Sequence, residues 1–133
     1  MTAEQKKEFT RKIAQANSAQ LIVILYDIAI VYVNDAIAYM EEGDMVNAKI
    51  QADFAKKSIE EMIHNLHFEY DLAKPLHRIY LSMKKSLRDG IMDKKQELLT
   101  AVKNNLKAVG AGCFACGGNE VCGCTVLVKE GLR

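Results

Sequence analysis

Residues 21–39 read LIVILYDIAIVYVNDAIAY, broken only by Asp27, Asn34 and Asp35. An ordinary surface helix carries one apolar stripe and one polar face. Here apolar side chains point in nearly every direction around the axis. Such a helix must be covered on most sides, by its own protein or by a partner. A membrane is a poor cover. The run has nearly the required length, but Asp27 would lie near the bilayer centre, at about 2.5–3.5 kcal/mol or more. Gln20, Asn34 and Asp35 add to that, and no second span follows. Stable membrane insertion is not expected.

The polar start, MTAEQKKEFTRK, does not resemble a secretory signal. At 133 residues the chain makes one domain with a real core. Lys and Arg number 18 against 17 Asp and Glu, a balance that gives no overall footprint for nucleic acid or an anionic membrane. Pro occurs once, at Pro75, and six of the eight Gly follow residue 109. Residues 1–109 therefore form the helical body. Residues 110–133 are a Gly/Cys-rich tail, expected to be irregular.

Four helices fit the body. The first opens at Asn17, whose pairing with Gln20 resembles a capping box, and runs to Glu42, with Gly43 placed to end it. Asp44 caps the second, in which Ile50, Phe54, Ile59, Met62, Ile63 and Leu66 keep helical spacing. The third covers Leu72–Arg88, with Leu72, Leu76, Ile79, Tyr80, Met83 and Leu87 as its stripe. Pro75 fits only its first turn, and Gly90 ends it. Asp93 with Gln96 opens the fourth, through Leu98, Leu99, Val102, Leu106 and Val109. Short links favour antiparallel neighbours, so the expected architecture is all-α: an up-down four-helix bundle preceded by a short amphipathic lead-in helix with Phe9 and Ile13. The stretch Thr125–Val128 has β-like composition but is too short to build on.

Glu61 and His64 give one Glu-x-x-His pair. Di-iron bundles need this pair twice, with two further glutamates. The first helix offers no Glu before Glu41, so the set is incomplete, and His64, His67 and His77 read as ordinary surface or groove residues. Cys113, Cys116, Cys122 and Cys124 form C-x2-C-x5-C-x-C, and four thiolates suit zinc or an iron–sulfur cluster. Against this, C-x-C is an uncommon second half-site, and twelve residues leave little backbone for two knuckles. A flexible tail with reduced thiols or casual disulfides is the plainer reading, with a metal- or redox-responsive helical protein as the alternative function. There is no phosphate-binding glycine loop and no motif that gathers a nucleophile with its base. Neither an enzyme nor a bound cofactor is expected.

The stretch Ala16–Ile30, with Leu25-Tyr26-Asp27 at its centre, resembles the opening of the FliS family, the flagellar secretion chaperones. Further segments resemble the family in order: the turn Glu42-Gly43-Asp44 with Ala48, the segment Leu66-His67-Phe68-Glu69-Tyr70, the piece Leu76-His77-Arg78-Ile79-Tyr80, and Leu98-Leu99 with Val102. Ile28 stands where the family usually has Gly, Phe9 stands in for an early Tyr, and the cysteine tail has no counterpart. The resemblance implies a cytoplasmic antiparallel bundle that binds the aggregation-prone C-terminal segment of flagellin. It would thereby prevent premature polymerisation and aid delivery to the export gate. Leu25, Tyr26, Ile30, Val33 and Ile37 are expected to be binding-groove or core positions, with Phe9 and Ile13 as the groove's cover when empty. Tyr26 is expected to act through its hydroxyl, and Asp27 to cap or pair. A helical adaptor that self-associates through the first helix is a further alternative.

Overall fold

A computed structural model describes residues 1–16, 18–64 and 73–116; for Ser18, Ala19, Ile22 and 110–116 it describes the backbone. Its helices are α1 (Ala3–Gln15), α2 (Ser18–Glu41), α3 (Met45–His64), α4 (Ala73–Met92) and α5 (Gln96–Cys116). α2 packs against α3 and α5, α4 packs against the same two, and α1 lies on α2. The four long helices thus close a ring, with α2 and α4 on the diagonal. This is the expected all-α bundle with its lead-in helix. Asn17, Leu66, Leu72 and the segment 66–70 lie outside the described residues, as does Thr125–Val128.

Local chemistry sets the helix ends. Thr2 and Gln5 form a reciprocal capping box that starts α1. The Gln5 amide donates to Thr2 Oγ1 at 3.1 Å and the Thr2 amide to Gln5 Oε1 at 2.9 Å. At the end of α2, Gly43 takes φ +79°. The Asp44 amide then donates to Tyr39 O at 2.9 Å and the Gly43 amide to Met40 O at 3.1 Å. These two bonds define a Schellman cap, and glycine adopts its left-handed residue without strain. Asp44 next caps α3, accepting from the Asn47 amide at 3.1 Å and the Asn47 side chain at 2.6 Å. Pro75 occupies the first turn of α4, where its missing N–H breaks no intrahelical bond.

Four expectations are corrected. Gly90 does not end its helix: α4 continues to Met92, and the left-handed residue is Lys94, at φ 55°. The Lys95 amide closes that cap on Gly90 O at 2.9 Å. Asp93 belongs to this turn, its amide donating to Asp89 O at 2.8 Å, and does not open α5 with Gln96. Gln96 instead donates to Glu41 Oε1 at 2.8 Å, tying the start of α5 to the end of α2. On α3, Ile50 and Phe54 are 44% and 38% exposed, whereas Ala48, Ala52 and Ala55 join Ile59 and Met62 inside. The inner spacing 48, 52, 55, 59, 62 alternates four and three, as close helix pairing requires. The helical body also runs past Val109, since α5 continues to Cys116.

Residues Val23–Glu41, with mean hydropathy 1.5, are long and apolar enough to cross a membrane by length and composition. The fold supplies another reason for that composition. α3, α5 and α1 cover α2 from three directions.

Gly90 is buried because α4 and α5 meet there. A Cβ built on it would lie 2.3 Å from Leu99 Cδ1 and 3.1 Å from the Lys95 carbonyl. Leu99 is itself fully buried, so its side chain has little room to retreat. Overpacking of this kind costs about 1–3 kcal/mol, against roughly 1 kcal/mol returned by alanine's helix propensity. Gly90→Ala is expected to lower the urea midpoint. A midpoint unchanged or raised would show that Leu99 moves aside freely.

Candidate functional site

Every expected groove residue lies on α2, and helical geometry divides that helix into distinct faces. Tyr26, Ala29, Val33 and Ala36 point into the bundle and are essentially inaccessible. Tyr26 and Val33, expected in the groove or the core, are therefore core residues, and nothing reaches them unless the bundle opens. Leu25, Ile30 and Ile37 are half-buried and pack against the edge of the same core.

The Tyr26 hydroxyl finds a partner across the bundle. Tyr26 on α2 and Tyr80 on α4 share a buried hydrogen bond between their hydroxyls, with ring centroids 6.5 Å apart and planes tilted by 47°. The aromatic bodies fill the core while the two polar ends satisfy each other. The Tyr of Leu25-Tyr26-Asp27 and that of Leu76–Tyr80 thus make one contact between diagonal helices.

The outward face of α2 carries the rest. Ile24 is buried yet stands outside the main core cluster. With Asp27, Ile28, Val31 and Asp35 it follows helical spacing along the strip that faces α1. The Met1 amino group pairs with Asp35. Lys12, near the other end of α1, acts electrostatically on Asp27. α1 therefore runs antiparallel to α2 along this strip. Partial desolvation raises the Asp27 carboxyl above its usual range, and the Lys12 ammonium opposes that rise.

α1 is a thin cover. None of its residues is buried: Phe9 is half-buried, with Lys12 Nζ 5.6 Å from its ring centroid, and Ile13 remains 43% exposed. Ile24, Ile28 and Val31 lie on this strip, and none of them was among the expected groove residues. The signal available was the amphipathic spacing of Phe9 and Ile13, which demands an apolar strip to rest on. A second apolar stripe lies on α3, where Val46, Ile50 and Phe54 repeat every four residues. Tyr32 of α2 stacks on Phe54 at 5.2 Å, with Lys57 on the same ring at 5.5 Å.

Glu61 and His64 are both exposed near the end of α3, so their pair does not project into a core site; His77 is half-buried, and His67 lies outside the described residues. Cys113 and Cys116 fall on the last turns of α5, one turn apart along its backbone. Cys122 and Cys124 lie outside the described residues. Among the described residues no group of three or more His, Cys, Asp or Glu side chains is placed to hold a metal ion. The arrangement offers apolar surface under a light cover, which is chemistry for binding.

Compared with known families, residues 1–112 match the family model described as flagellar protein FliS. No curated protein matches the chain. The match ends one residue before Cys113.

The tyrosine pair can be tested directly. Tyr26→Phe and Tyr80→Phe are each expected to lower stability by about 0.5–1.5 kcal/mol in urea unfolding. The double variant should lose less than the sum, because the second change removes a bond already broken. Strict additivity would show that the hydroxyls do not couple.

Proposed function

The chain belongs to the family of the flagellar protein FliS, a family of flagellar chaperones, and we propose that it holds the C-terminal segment of flagellin on the outward strip of α2. There it prevents premature polymerisation in the cytoplasm and presents the subunit for export. The observation that carries this reading is an apolar strip of α2, Ile24, Ile28 and Val31, covered by a helix that buries none of its own residues. A client segment that folds into an amphipathic helix can replace α1 there, laying apolar residues at i, i+3/i+4 and i+7 into the same strip. Leu25, Ile30 and Ile37, half-buried at the flanks, extend the contact once the client wraps past the strip. The ordering entropy of a disordered client lowers affinity per unit area, and a long wrapped contact offsets it.

α1 is then a competitor in cis. Phe9 and Ile13 are the apolar residues it lays toward α2, and Asp35 and Lys12 fix its direction. A protein whose binding-competent form is only a fraction of the population binds more weakly by that fraction.

Calorimetric titration with a synthetic flagellin C-terminal peptide tests the first claim. Binding is expected, with Val31→Asp weakening it about tenfold or more by placing a charge in the apolar strip. Absence of binding at high micromolar peptide removes the proposal. The cover has its own test. Phe9→Ala with Ile13→Ala is expected to tighten peptide binding several-fold, because the docked state of α1 loses its apolar contacts. Weaker binding in that variant would make α1 part of the client site.

A further inference from the structure

The near-neutral charge of the chain conceals a division between its two hairpins. Residues 18–64, which hold α2 and α3, carry three Lys and Arg against eight Asp and Glu, a net −5. Residues 73–116, which hold α4 and α5, carry nine against three, a net +6. On α4 the excess is organised. Lys74, Arg78, Lys85 and Arg88, with Leu81 at the centre, follow the spacing four, three, four, three, and all five are exposed. That spacing holds them within an arc of about 80° at 3.6 residues per turn, over roughly 21 Å of helix. Ala73, Leu76, Tyr80, Met83, Leu87 and Gly90 occupy the opposite, buried face. Among the described residues Lys74, Arg78 and Lys85 have no carboxylate partner, and Arg88 reaches only Asp89, at 3.4 Å. Lys84, on the flank toward α3, is different: it pairs with Glu60 at 3.0 Å.

We propose that this face of α4 docks an acidic amphipathic helix of another protein, its carboxylates set against the four cations and one apolar side chain seated on Leu81. Charge complementarity and shape both select that occupant. The cationic stripe is one helix wide, and Leu81, at 47% exposure, gives it an apolar centre that a phosphate backbone does not use. It contains no aromatic residue on which a base could stack. A duplex or a flat anionic membrane would reach past the stripe onto α3, whose three Lys and three carboxylates balance, so its extra width gains no further attraction. A single helix matches the width of the stripe. One helix face buries less than the roughly 1,200 Å² of a stable complex, so the contact is transient and salt-sensitive. α4 lies diagonal to α2, so this surface is separate from the strip under α1 and goes beyond the flagellin reading.

The chain contains no Trp, so the probe carries the fluorophore: a labelled synthetic helix with Glu at positions i, i+4, i+11 and i+14 and Leu at i+7. Titration of the full chain should give micromolar binding at low salt that falls about tenfold or more near 1 M salt, where the Debye length is about 3 Å. Arg78→Glu with Lys85→Glu should weaken it by about tenfold or more, and Leu81→Ser by several-fold. Lys6→Glu with Lys7→Glu, an equal charge change on α1, should leave the affinity within about twofold, which excludes a general field effect. Circular dichroism establishes that each variant is folded. The proposal is overturned if a scrambled peptide of the same composition binds equally well, or if the α1 reversal weakens binding as much as the α4 reversal. It is equally overturned if duplex DNA or phosphatidylserine vesicles are bound more tightly than the peptide at the same salt.

Discussion

Close approach between α2 and α3 is the constraint on which the bundle rests. Ala29 and Ala36 on one helix and Ala48, Ala52 and Ala55 on the other are all fully or nearly fully buried, and these two helices share the most extensive contact in the bundle. Small side chains let two helix axes come near, and larger ones inserted into a packed seam force displacements. Val33, Ile59 and Met62 fill the remaining volume. The Schellman cap at Gly43 and the Asp44 cap follow directly, because two axes held this close must be joined by a tight reversal. With α3 against its inner side, α2 still has an edge for α5 and an outer strip for α1. An apolar helix inside a small bundle is thereby accounted for face by face.

The same seam explains what was legible in the sequence and what was not. α2 was readable because its residues are large and apolar in nearly every direction, a pattern that does not depend on register. Its end was readable because Gly-Asp supplies a left-handed residue followed by a cap. On α3, periodicity favoured Ile50 and Phe54 over three alanines, since a hydrophobicity reading weights size. A helix seam selects for smallness, so the large residues were left on the outer face. Gly90 was misread for a related reason. A glycine near a helix end suggests a stop, yet here it makes room for Leu99, and Lys94 takes the strained backbone position. Tyr26 and Val33 share one cause. A single apolar helix does not reveal which of its faces will be inner until its neighbours are placed.

Composition also averages over faces, and partner selection does not. A net charge of +1 suggests indifference to charged partners, yet the basic and acidic residues are sorted onto opposite hairpins. At physiological ionic strength the Debye length is about 8 Å. A partner one helix wide on α4 therefore senses the local stripe far more than the net charge. The sorting costs the fold little, because most of these side chains are exposed and solvated, where isolated pairs contribute about 0–1 kcal/mol.

A cover and its client must compete on near-equal terms for a site to be both protected and usable. If α1 buried its apolar residues fully, each would contribute about 1.5–3 kcal/mol. Two such residues would hold the closed form hundreds-fold or more over the open one, since 1.4 kcal/mol is tenfold. The observed packing is lighter: Phe9 is half-buried, Ile13 is substantially exposed, and no α1 residue is buried. Polar anchors at the two ends, Asp35 and Lys12, supply direction more than strength. Only Ile24, beneath the helix, is sealed from water. On the proposed reading, a cover held this lightly leaves the strip open to displacement of α1 by a longer amphipathic segment. On the same reading, discrimination between client and shield lies in contact length rather than in any single residue, because each α1 contact alone is weak.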